Sequence, residues 1–80
     1  MICSTEIDEQ ELMINRYELS NSMKNTGLYY DKKKDYMQMK KFYLIAIDLD
    51  NMIAMFNLGL YYQEIEIDYE LMKKYYLMAI

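Results

Sequence analysis

Eighty residues with thirteen acidic and nine basic side chains, a net charge of −4 and no histidine lack the commonest general base and metal ligand. The acidic balance also argues against a dedicated nucleic-acid binder, which would show a basic face. The length allows one small domain with limited burial, and the absence of proline with only two glycines favours an all-helical chain.

The first twenty residues carry five acids and one base. Glu6 to Leu19 reads as a degenerate or capping helix, with Leu12, Met13, Arg16 and Leu19 as a modest apolar face. Arg16 to Asn21 faintly echoes Ala46 to Asn51. A first helix is then predicted over about residues 22–31, its face marked by Met23, Thr26 and Tyr30.

After the basic joint Lys32-Lys33-Lys34, Tyr36, Met39, Tyr43 and Ala46 place one apolar stripe along a second helix over about residues 35–47. Asp35 stands where an N-cap should, able to accept free amide hydrogens of the first turn, and Gln38 is placed to close a capping box. A third helix follows over about residues 52–63, with Met55, Leu58 and Tyr62 on its face. Glu64-Ile65-Glu66-Ile67 alternates like a strand, but a lone strand has nothing to pair with, so a turn is expected there with Ile65 or Ile67 tucked against the helices. A fourth helix is predicted over residues 68–80, capped by Asp68.

These elements are two copies of one unit. Met23, Asn25 and Gly27 to Tyr30 recur as Met55, Asn57 and Gly59 to Tyr62 at an offset of 32. Asp35, Tyr36, Met39, Lys40, Lys41, Tyr43, Leu44, Ala46 and Ile47 recur at an offset of 33, so one residue is inserted in the joint. Self-similarity at a period of about 20–50 residues marks units that bury their apolar faces by stacking. The units expected are residues 1–20, 21–51 and 52–80. Glycine inside a helix costs about 1 kcal/mol relative to alanine. Its expected return at Gly27 and Gly59 is close approach of a partner helix, with Tyr43 or Tyr76 over the bare backbone.

The spacing of Met23, Gly27, Tyr30, Met39, Tyr43 and Ala46, and the intact Leu58-Gly59-x-x-Tyr62, resembles the tetratricopeptide repeat and, in its short period, the Sel-one-like branch of that superfamily. The large aromatic and the first alanine of that pattern are both methionine here, Thr26 replaces a leucine, and no proline closes either unit. The resemblance implies antiparallel helix pairs stacked as a short right-handed superhelical solenoid. Its A helices would line a groove that receives a peptide or partner protein. By position relative to the glycine, the groove residues would be Asn21, Lys24, Leu28 and Asp31 from the first unit and Ile53, Phe56, Leu60 and Gln63 from the second. These positions differ between copies while the packing positions agree.

The function expected is therefore non-catalytic recognition, with no cofactor and no metal. The alternatives are self-association through the fourth helix, for which Ile80 is the last matched position and no polar capping helix follows, or a fragment of a longer array. No run approaches the roughly 20 apolar residues of a membrane span, and no secretory signal is recognisable. The single cysteine, Cys3, lacks an internal disulfide partner and a basic neighbour, so an intracellular, cytoplasmic location is expected, without nucleic-acid or membrane partners. The middle block carries six lysines against two acids and the last block two lysines against six acids, an alternation that reads first as solvated surface.

Overall fold

The computed structural model describes residues 9–80. Four helices follow in order: α1 (Glu9–Lys32), α2 (Tyr36–Asp48), α3 (Met52–Glu64) and α4 (Tyr69–Met78). The described residues are all-helical, with no strand. Each of the last three helices starts at a side-chain cap. Asp35 Oδ1 accepts the Gln38 amide at 3.3 Å, Asn51 Oδ1 the Ala54 amide at 3.0 Å, and Asp68 Oδ1 the Leu71 amide at 3.1 Å.

The first two turns share one construction. Lys34 (φ 60°) and Asp50 (φ 65°) take the left-handed conformation just past a helix end. At each, an i→i−3 amide bond (Lys34 to the Asp31 carbonyl, Asp50 to the Ile47 carbonyl) is followed by an i→i−5 bond (Asp35 to Tyr30, Asn51 to Ala46). This is the Schellman closure, and its last residue is already the N-cap of the next helix. The third turn holds the inserted residue and closes with no positive φ, through Ile65 and Glu66 amides on the Tyr61 carbonyl and the Asp68 amide on the Tyr62 carbonyl.

The helix α1 runs unbroken through Ser20, so the separate helix expected over residues 1–20 and the first A helix are one element where the structure describes them. Residues 1–8 of that expected helix lie outside the described part. Ser20 and Asn21 are weak helix formers because their side chains compete for backbone hydrogen bonds. Here those side chains accept instead from Asn51 Nδ2, at 2.7 Å and 3.2 Å. A second expectation is corrected in the third turn: both Ile65 and Ile67 face solvent, and it is Glu66 that reaches back to the helices.

Packing is pairwise. The α1 helix lies chiefly on α2 and α3 chiefly on α4, while α2 against α3 joins the pairs with a smaller α1–α3 contact. The core lies at that junction, where Met39, Tyr43 and Ala46 of α2 and Ala54 and Leu58 of α3 are essentially inaccessible. Burying each of the large side chains there contributes about 1.5–3 kcal/mol.

The two pairs share several equivalent contacts. A Cβ on Gly27 would lie 2.5 Å from Tyr43 Cδ1, and one on Gly59 would lie 2.6 Å from Tyr76 Cδ1, so each glycine is a notch filled by the tyrosine of its partner helix. Tyr30 stacks on Phe42 (5.7 Å, 8°) as Tyr62 stacks on Tyr75 (6.0 Å, 11°). Tyr29 meets Tyr30 edge-on at 5.1 Å as Tyr61 meets Tyr62 at 5.0 Å.

Candidate functional site

Asn21, Lys24, Leu28 and Asp31 step at helical spacing along α1, and Ile53, Phe56, Leu60 and Gln63 along α3. The structure gathers five of the eight into two depressions. Asn21 and Ile53 line a cleft of about 500 Å³ between the first half of α1 and the start of α3. Leu28, Asp31 and Leu60 line a smaller one, about 160 Å³, toward the other end of the same two helices. Lys24, Phe56 and Gln63 line neither depression.

Besides Asn21, which accepts from Asn51, and Leu28, which packs against the core, three more of these residues have work inside the fold. Tyr43 donates its hydroxyl proton to Asp31 Oδ2 at 3.5 Å, and at the equivalent place Tyr76 donates to Gln63 Oε1 at 2.7 Å. The Phe56 ring packs on Tyr76 with centroids 5.5 Å apart, while half its surface stays exposed. Asp31, Phe56 and Gln63 thus steady the B-helix tyrosine in addition to facing outward. Spacing relative to the glycine does not reveal this, because the contact depends on how far the tyrosine reaches.

The larger cleft also contains Met13, Arg16, Tyr17 and Met52, which the groove assignment from the sequence did not include. Met13, Tyr17, Met52 and Ile53 are all more than half exposed, and Arg16 stands among them. Four exposed apolar side chains are thus gathered on one concave surface. Arg16, the chain's only arginine, adds a planar donor suited to carboxylate. The floor is polar: Asn51 bonds Ser20 and Asn21 while capping α3. The cleft exists because α1, at 24 residues, overhangs the 13-residue α2. Dividing α1 at residue 20 is what hid it from the sequence.

Electrostatics concentrate elsewhere, at the seam between the pairs. Glu66 Oε1 accepts from Tyr61 O–H at 2.8 Å and from Lys40 Nζ at 3.0 Å, and Lys40 also lies over the Tyr61 ring at 5.2 Å. The Tyr61 hydrogen bond, with Lys40 beside it, lowers the Glu66 carboxyl, and Glu66 in turn raises the Lys40 ammonium. Burial, reinforced by the Asp31 charge, pushes Tyr43 up to about 12. Among the described residues no three His, Cys, Asp or Glu gather as metal ligands, and no helix is long and apolar enough to cross a membrane.

The chain matches no family model, no curated protein and no solved structure.

Proposed function

We propose that this chain is a protein-interaction module of the tetratricopeptide type, two helix-pair units stacked as the start of a right-handed solenoid, which binds a partner protein or peptide without catalysis. The observation that carries this reading is the cleft between the overhang of α1 and the start of α3, where Met13, Tyr17, Met52 and Ile53 stand exposed around Arg16. A cleft of this make-up accepts one or two large apolar side chains and a neighbouring carboxylate. The α1–α3 surface continues from it to Leu28 and Leu60, in the smaller depression, giving an extended segment a second place to dock.

The repeat reading is supported by the paired glycine notches and the paired ring stacks. An intracellular setting accords with the single cysteine. The test is affinity capture with the wild-type chain beside a Met13→Asp, Ile53→Asp double variant shown by circular dichroism to keep its helicity. Partners recovered with wild type and lost with the variant support the proposal. The same partners recovered equally by both would contradict it.

A further inference from the structure

The face of α2 that receives α3 has a counterpart on α4. Tyr36 meets the Tyr61 ring at 5.2 Å, Lys40 lies over that ring and bonds Glu66, and the Tyr43 hydroxyl oxygen accepts from Asn57 Nδ2 at 3.5 Å. The equivalent residues one unit later are Tyr69, Lys73 and Tyr76. Tyr69 is 61% exposed, Lys73 is exposed with no carboxylate in ion-pair range among the described residues, and Tyr76 is half-buried where Tyr43 is fully buried.

We propose that α4 is a second docking surface, and that its occupant is a helix bearing the α3 chemistry. That chemistry is an asparagine, a tyrosine four residues on and a carboxylate five residues beyond it, which would meet Tyr76, Tyr69 and Lys73 as Asn57, Tyr61 and Glu66 meet Tyr43, Tyr36 and Lys40. Charge decides against a second copy of this chain. Its α1 offers Asn25 and Tyr29 at the matching positions, but Lys33 lies over the Tyr29 ring at 5.5 Å and Lys34 follows, where α3 is followed by Glu66. Stacking copies in the repeat register would set Lys73 against these lysines. Ser22 and Thr26 would also replace Ala54 and Leu58 in the contact. A like-charge junction opposes association that an opposite charge favours.

The experiment titrates the full chain, labelled with ¹⁵N, with a stapled helical peptide of residues 51–66. Saturable binding that shifts Tyr69, Lys73 and Tyr76 is expected. Lys73→Glu should weaken it about fivefold, with recovery when the peptide carries Glu66→Lys. A folded chain that shows no saturable binding, or binding that Lys73→Glu leaves unchanged, would overturn the proposal. Concentration-dependent self-association that broadens the α4 signals would overturn the choice of occupant. The cleft variant Met13→Asp, Ile53→Asp leaves this binding intact, so failure of this inference is distinguishable from failure of the groove reading.

Discussion

The ring of Tyr43 occupies the space that a side chain on Gly27 would fill, with Cδ1 and Cε1 2.5 Å and 2.6 Å from an ideal Cβ there. Tyr76 stands against Gly59 at 2.6 Å and 2.7 Å. Identical contacts in two units give different sensitivities, because α3 covers Tyr43 completely while Tyr76 keeps a partly open side.

Gly27→Ala therefore forces a fully buried ring to move. Overpacking costs about 1–3 kcal/mol, against which alanine returns about 1 kcal/mol of helix propensity. A net loss of up to about 2 kcal/mol is expected in urea denaturation. Gly59→Ala should cost less than about 1 kcal/mol, since Tyr76 has room to shift.

Asn51 performs two tasks with one amide: its oxygen caps α3 and its nitrogen holds Ser20 and Asn21. Asn51→Ala should lower stability by about 2–3 kcal/mol, the sum of a lost cap and a lost buried hydrogen bond. Asp35→Ala removes an exposed cap alone and should cost about 1 kcal/mol. Equal losses in the two variants, by chemical denaturation, would show that the Asn51 contacts to α1 contribute nothing.

The Tyr43 phenol, raised from 10.0 to about 12 by burial and the nearby Asp31, is favoured in its neutral form by the fold. Its contribution is complete below pH 10 and is lost as pH rises from 10 through about 12. Tyr61, Tyr62 and Lys40 are raised too and add to the same alkaline loss. Glu66 acts at the acid end, where its lowered carboxyl gives stability that is present above 4.5 and lost as pH falls through its folded value. Tyr43→Phe should flatten part of the alkaline decline in a pH series of thermal melts and leave the acid limb unchanged.

Lys34 and Asp50 take the left-handed conformation with a side chain present. Strain of about 1–2 kcal/mol is relieved by glycine, which in turn costs about 0.5–1 kcal/mol in unfolded-chain entropy. Lys34→Gly should stabilise the chain by about 0.5–1 kcal/mol, since lysine has no local hydrogen bond to offset its strain as aspartate can. Thermal melts of the single variants check the sign.

The helical class was legible because local signals agree: stripes at helical spacing, aspartate caps at Asp35 and Asp68, and no proline. The glycine notches were legible because the sequence states them twice. What escaped was set by distance along the chain. The units were divided at residue 20, and only Asn51, thirty-one and thirty residues from Ser20 and Asn21, shows why the helix continues through them. The third turn was misjudged because alternation suggested an inward isoleucine, whereas the inserted residue turns Glu66 toward Lys40 and Tyr61. The cleft at Met13 and Ile53 followed from the uninterrupted α1, so it was hidden with it.

The account rests on two equivalent helix pairs, and the two glycines report on both at once. Nuclear Overhauser contacts from the Gly27 α protons to the Tyr43 ring and from the Gly59 α protons to the Tyr76 ring are expected together in the folded chain. Observation of the first without the second, or of neither, would contradict it.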